Sequence, residues 1–302
     1  MTAKVILNPY SNRWNSQKRW PEAESALKAA GVEFDLVVSQ KKGQIVELAE
    51  QAVREKFSPI IVAGGDGSIG DAANGLMRAA RSKKKGLLPL GIMPTGSAND
   101  VVYALGLPTD LKQAAKVIAM GKTRAMDLGK LNDRYFVNNS AAGLEPYVTI
   151  KHEKIHWIKG MARYLVAAVQ AIMDKPEWLG NIKWDDPFGE FNGKFSFISI
   201  GNGRRTGGFF MTPHADPFDG KLTLAFGYRG TRRGLFQALP RAFNEDKGSY
   251  IEMEGMQEVH ARHISIHLDK PSPAHTDGEL LPAWIQDFEY EILPKCLDII
   301  VP

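Results

Sequence analysis

A chain of 302 residues can bury a sizeable core and exceeds the usual size of one domain, so two domains are expected. With 44% hydrophobic and 24% charged residues it has the composition of an ordinary globular protein, which excludes a disordered or low-complexity chain. A net charge of +4 is too small an excess for a nucleic-acid binder, and the single Cys296 excludes an intrachain disulfide.

In chain order, MTAKVILNPYSNRW has none of the features of a signal peptide and reads as a first strand, Lys4 to Leu7, ending at Asn8-Pro9. No segment approaches the ~20 apolar residues of a membrane span, so a cytoplasmic location is expected, with any bilayer contact peripheral and at the inner membrane face. A reducing compartment suits the lone cysteine, read as buried and inert. Trp20 to Ala30 carries apolar residues at helical spacing before Gly31, Phe34 to Val38 is a second strand, and Gln44 to Lys56 repeats the helical spacing. Pro59 to Ala63 (PIIVA) is a continuous apolar run of the kind a buried parallel strand shows. A glycine loop follows, then a helix over about Gly70 to Arg81, a strand at Leu88 to Met93, the loop PTGSAND and a helix through Ala98 to Leu105. Strands alternating with helices predict an α/β first domain over residues 1–125, built on an open, mainly parallel sheet.

Beyond Met126-Asp127-Leu128 the pattern changes to short alternating runs: YFVNNSAAGL, GKFSFISIGNG, GKLTLAFGY, HISIHL, FEYEIL and DIIVP. These predict a mainly antiparallel β-sandwich as second domain over 126–284, with the tail from about 285 to 302 packing back on the first. Trp157 to Met173 interrupts the strands as a long apolar-faced helix with Lys159 and Arg163 near its start. Its plain reading is a helix packed on the sheet; its functional reading is a wall of a pocket for acyl chains.

The loop GGDGSIGDAANGL places Asp66 among glycines that would let phosphate approach the backbone at a helix N-terminus. No GxxxxGK[ST] is present, and the GxGxxG spacing is not met. A carboxylate beside phosphate is repulsive unless a cation lies between them or it takes a proton, so Asp66 reads either as a metal-facing or catalytic acid or as a helix cap. GGDG by itself leaves both open. The second loop, PTGSAND, follows another buried strand, and in a parallel sheet successive strand-to-helix loops share the carboxyl edge where ligands bind. Two polar glycine loops facing one crevice point to nucleotide phosphates.

Taken in order, GGDGSIGDAANGL, LGIMPTGSANDVVYALGLP, PHADPFDGKL and TDGE resemble the bacterial diacylglycerol kinase and lipid kinase family, whose catalytic domain is related to those of sphingosine and ceramide kinases. The likeness runs from the ILNP start to PKCLDIIVP, and it implies an NAD kinase-like first domain. It implies that Gly64, Gly65, Asp66, Gly67 and Ser68 wrap the phosphates of ATP, with Asp66 facing the γ-phosphate directly or through Mg²⁺. Relatives commonly carry Thr at the place of Ser68, Asn at Gly70 and Glu at Asp71. These departures keep hydroxyl and charge but shorten one acid and delete one amide. Asp71 then supports the loop or a water molecule. Thr95, Gly96, Ser97 and Asn99 match the second nucleotide loop, Ser39 matches a hydroxyl that contacts nucleotide in relatives, and Asn8 lies in the matching NP turn.

In the same way Asp216, Asp219 and the main-chain oxygen of Lys221 match a structural magnesium site, which without the resemblance would read as an Asp-rich turn. Asp277, Gly278 and Glu279 match the DGE of the family, where the Glu is a candidate general base. Glu279 and Asp66 would then meet the acceptor hydroxyl and the γ-phosphate from opposite domains, and the sequence leaves open which takes the proton. His275, beside them, shows no orienting partner and reads as solvent-facing or hydrogen-bonding.

The leading expectation is an ATP- and Mg²⁺-dependent kinase acting at a membrane surface on a lipid hydroxyl, of diacylglycerol or of a sphingoid or related lipid. Lys83-Lys84-Lys85, Arg204-Arg205 and Arg232-Arg233 are candidate contacts with anionic lipid, or plain solvated faces. A kinase of a soluble alcohol on the NAD kinase pattern, and a non-catalytic lipid-binding protein on a kinase scaffold, are the alternatives. No nucleic-acid partner is expected, and a homodimer is compatible with the sequence.

Overall fold

The computed structural model describes residues 2–12, 14–83, 89–158, 161–185, 187–244 and 248–302, and the side chains of all of these except 81–83 and 161. Its chain divides into two units, Met1–Leu128 with Leu293–Pro302, and Gly129–Ile292. The sequence pattern places the junctions at 125/126 and 284/285.

The first unit alternates strand and helix: β1 (Ala3–Leu7), α1 (Asn15–Ala29), β2 (Phe34–Val38), α2 (Gln44–Arg54), β3 (Ile60–Gly64), α3 (Asp66–Lys83), β4 (Leu90–Pro94), α4 (Asp100–Ala104) and α5 (Leu111–Met120). Its strands run parallel in the order β2-β1-β3-β4. Every residue of β3 and β4 is buried, as continuous apolar runs covered on both faces require. Val5, Leu7, Ile61, Ala63 and Met93 turn one face of the sheet into a core shared with Trp20, Ala23 and Leu27 of α1 and Leu111, Ala115 and Ile118 of α5. Helices α2 and α3 pack on each other through Gly75, where an added Cβ would stand 2.4 Å from the carbonyl oxygen of Val46.

The strand β5 (Thr123–Leu131) leads into the second unit, which holds β6 (Arg134–Phe136), β7 (Asn139–Gly143), α6 (Leu144–Lys154), α7 (Met161–Asp174), β8 (Trp178–Trp184), β9 (Gly189–Phe195), β10 (Phe197–Gly201), β11 (Leu222–Gly227), α8 (Arg232–Phe243), β12 (Met256–Ala261), β13 (His263–Ser272), β14 (Ala274–Thr276), β15 (Glu279–Leu280) and the start of β16 (Ile285–Ile300). One antiparallel sheet runs β12-β11-β10-β7-β14-β15; another pairs β16, β13, β8 and β9. Ile198, Ile200, Leu222, Leu224 and Phe226 from the first meet Ile182, Phe195, Ile264, Ile266 and Phe288 from the second in one buried cluster, which makes the unit a sandwich. The fold is thus an α/β domain with a parallel sheet joined to an antiparallel sandwich domain.

Several helices differ from the pattern read in the sequence. The helix expected from Trp157 begins at Met161, and Trp157 lies before it, 78% exposed. Helices α5, α6 and α8 lie where the sequence reading places none. The chain passes from β16 of the second unit back into the first, where Ile299 pairs with Leu90 of β4 and Val301 N donates to Lys122 O at 2.9 Å. Cys296 lies on this return strand, its thiol pushed up to about 11 by burial and by the neighbouring Asp127 carboxylate. No helix among the described residues is long and apolar enough to cross a membrane.

Candidate active site

At the carboxyl edge of the first sheet, the strands β1, β2, β3 and β4 deliver Asn8, Ser39, Gly64–Ser68 and Thr95–Asn99. The two glycine loops touch backbone to backbone: a Cβ on Gly96 would stand 2.4 Å from the Cα of Gly65, and one on Gly65 would stand 3.2 Å from the Cα of Gly96. Only glycine fits at Gly96, which lets the loops pack close enough for one ligand to meet both. Ser68 is buried, with its Oγ accepting from Asn8 Nδ2 at 2.8 Å and lying 3.2 Å from Ser11 Oγ. Thr95, also buried, pairs Oγ1 with Ser16 Oγ at 2.6 Å, and its amide donates to Gly64 O at 3.2 Å. Ser39 is buried, its amide donating to Leu7 O at 2.9 Å. Ser97 is exposed and Asp71 partly exposed in the second turn of α3.

Asp66 joins the loops. It is the first residue of α3, yet its Oδ1 accepts from Val101 N, at the start of α4, at 2.8 Å. Although the residue keeps some surface, its carboxyl group is enclosed, and this burial raises its pKa above the usual aspartate value. The backbone amides of Val101, Asp100, Asp66 and Asn99 pull the other way. Asn99 holds a left-handed φ of 54° just before α4, and its buried Oδ1 has no hydrogen-bond partner. The contact between glycines and the hydroxyls at the strand ends fit a phosphate chain laid on the two loops.

The second unit carries the other acidic residues. Asp277 and Gly278, at φ 50° and 79°, form a two-residue turn between Thr276 and Glu279, which face each other across the β14–β15 ladder. The Asp277 carboxylate ties this hairpin down: Oδ2 accepts from Val137 N at 3.0 Å, and Oδ1 accepts from Asn138 N and Asn139 N at 2.8 and 3.2 Å. Asp277 N donates to Asn139 O at 2.8 Å. Glu279, partly exposed, begins the returning strand. Asn138 extends the network, since its carbonyl accepts from Asn202 N and Gly203 N and its side chain donates to Arg205 O.

Asp216 and Asp219 sit in one exposed turn, each bending the chain by accepting a backbone amide two residues on. Asp216 Oδ1 takes Phe218 N at 3.0 Å, and Asp219 Oδ1 takes Lys221 N at 2.8 Å. Among the described residues no group of three or more His, Cys, Asp or Glu side chains is set to hold a metal ion. A pair of carboxylates with a main-chain oxygen still fits magnesium, which binds through one or two carboxylates and keeps several waters. His275 is entirely buried, not solvent-facing, and Glu145 Oε1 lies 3.2 Å from its Nε2, a partner on a helix the sequence did not announce. Of the basic patches, Arg204 and Arg205 both lie over the Phe210 ring, at 5.6 and 5.7 Å, and Arg232 donates to Met173 O at 2.8 Å. Lys84, Lys85 and Lys159 lie outside the described residues, as does the side chain of Lys83.

Residues 2–131 match the diacylglycerol kinase catalytic domain, and residues 138–301 match the YegS C-terminal NAD kinase beta sandwich-like domain. A curated diacylglycerol kinase of Staphylococcus aureus (strain MRSA252) is 30% identical over 301 residues, covering 96% of this chain and 90% of that protein. The chain belongs to the diacylglycerol kinase family. Another diacylglycerol kinase, from Staphylococcus carnosus (strain TM300), is 28% identical over 279 residues, covering 92% of this chain and 88% of its own. A crystal structure of a diacylglycerol kinase from Bacillus anthracis str. Sterne shares the fold at a TM-score of 0.72 and 19% identity, over 100% of this chain and 97% of that one. As a member of the diacylglycerol kinase family, the chain is a lipid kinase.

Proposed function

We propose that this kinase uses ATP and Mg²⁺ to phosphorylate the hydroxyl of diacylglycerol, or of a sphingoid or related lipid, working peripherally at the inner face of the membrane. The observation that carries this reading is Asp66, whose carboxyl is enclosed where two glycine loops touch. In the reaction the lipid hydroxyl oxygen attacks the γ-phosphorus, the bond to the β–γ bridging oxygen breaks, ADP leaves, and the hydroxyl proton passes to a carboxylate. Gly64–Ser68 and Thr95–Asn99 hold the phosphates through backbone and hydroxyl donors, and Asn8 orients Ser68 for that task. The carboxylates of Asp66 and Glu279 are the proton acceptors the chain offers, with Asp277 fixing the turn that carries Glu279. Asp216, Asp219 and the Lys221 main-chain oxygen would hold a structural magnesium ion, which would fix the turn that carries them.

The test supplies γ-labelled ATP, Mg²⁺ and mixed micelles of diacylglycerol, sphingosine or ceramide, with glycerol and NAD as soluble acceptors. Label should reach a lipid, should be abolished by EDTA, and should fall on the order of 10²-fold or more in Asp66→Ala and Glu279→Ala. Label on a soluble acceptor alone, or on none, would refute the reading.

A further inference from the structure

His275 has no exposed surface, and neither of its ring nitrogens has a hydrogen-bond partner. Its Nε2 stands 3.2 Å from Glu145 Oε1 without the alignment of a hydrogen bond. The Glu145 side chain is 10% exposed, Oε1 accepts from Asn139 Nδ2 at 2.8 Å, and Oε2 is buried without a partner. Orphaned atoms of this kind lower stability, and an acid and an imidazole buried together between the sheet and α6 are unlike the apolar residues that would pack best there.

The connectivity shows what the pair touches. His275 lies on β14, opposite Ala141 of β7 and Leu280 of β15, while its neighbour Thr276 lies opposite Ser140 and Glu279. Successive side chains of a strand point to opposite faces, so His275 points away from the face that carries Glu279 and cannot meet the same substrate atom. Glu145 lies in the first turn of α6, which directly follows β7, and is bound by Asn139, the residue whose backbone amide and carbonyl both bond Asp277. The hairpin is therefore held at its turn by Asp277, along β14 by the ladder to β7, and from its opposite face by α6 through Glu145 and His275.

We propose that Glu145 and His275 are a positioning pair for the kinase reaction, clamping the Thr276–Glu279 hairpin from behind so that the Glu279 carboxylate is held in place. The inference rests on the reading of Glu279 as a proton acceptor. A carboxylate displaced by about 1 Å loses on the order of 10²-fold in rate, whereas nucleotide binding on the glycine loops does not pass through this hairpin.

The experiment measures kcat and the KM for ATP, with lipid in mixed micelles, for His275→Ala, Glu145→Ala, the double variant, His275→Gln and Glu279→Gln, alongside thermal melts. His275→Ala and Glu145→Ala should each lower kcat by roughly 10- to 100-fold with the KM for ATP within about twofold. The double variant should lose no more than the worse single one, because the two act as one unit. His275→Gln, whose amide keeps a polar group facing Glu145, should recover most of the rate, and it replaces His275→Ala as the deciding variant if that protein does not fold. Full rate in Glu279→Gln would overturn the role of Glu279 and the pair with it. Loss in Glu279→Gln with full rate in His275→Ala and Glu145→Ala, a change confined to the KM for ATP, or no recovery in His275→Gln, would overturn the pair alone.

Discussion

Asp66 is held in a place that works against its charge. A carboxylate enclosed by protein keeps a raised pKa even though backbone amides at the start of α4 reach toward it. In the folded, ligand-free chain its ionised form is disfavoured relative to the unfolded chain, so the penalty is fully present above the folded pKa. It fades as pH falls from there toward the unfolded value of about 3.9. Asp66→Asn keeps an oxygen for Val101 N and removes the charge. The variant should therefore be more stable than the parent at pH 7, with the gain shrinking as pH falls toward 4 in urea unfolding, while kinase activity is lost. Equal stability of the two proteins at both pH values would contradict this account. Asp66 and the two glycine loops were legible as motifs, but the carboxylate's bond was not, since it caps a helix 35 positions along the chain rather than its own. Asp277 was legible only as part of DGE; its anchoring of amides about 140 positions earlier has no local signal. Glu145 gave none at all until Asn139 and His275 closed around it.

The strands of the first domain announce themselves because β3 and β4 are buried along their whole length and so read as unbroken apolar runs. Helix α6 does not, because LEPYVTIKHEK buries only Pro146 and has no apolar stripe to recognise. Between α2 and α3 the deciding feature is Gly75, which lets the α3 backbone approach the Val46 carbonyl. Gly75→Ala puts two effects in opposition. Helix propensity favours alanine by about 1 kcal/mol, whereas forcing a methyl into a 2.4 Å gap against backbone costs about 1–3 kcal/mol. Overpacking should win, leaving the variant less stable by up to about 2 kcal/mol in urea unfolding, the reverse of the gain expected for the same change on an open helix face.

At the scale of the whole molecule, the two-domain architecture follows from the switch between alternating strand–helix and short-strand patterns. The place where the tail divides does not, because β16 is one continuous strand whose residues up to Ile292 pair with β13 while those from Leu293 belong to the first domain. Leu297, Ile299 and Ile300 on that last stretch are buried, together worth roughly 5–9 kcal/mol at 1.5–3 kcal/mol per side chain, a large part of a typical domain's stability. A chain ending at Ile292 should accordingly lose the ordered state of its first domain, seen as rapid proteolysis within residues 1–128 while the sandwich resists; equal resistance of both would count against it.

The return of β16 also bears on how the protein is made. Synthesis proceeds from the N-terminus, and a domain whose closing strand follows the whole of the second domain cannot finish folding until that segment has been made. Until then, β4 lacks its Ile299 neighbour, and the apolar strands that will carry the phosphate loops wait with an open edge, a natural point for a chaperone to intervene.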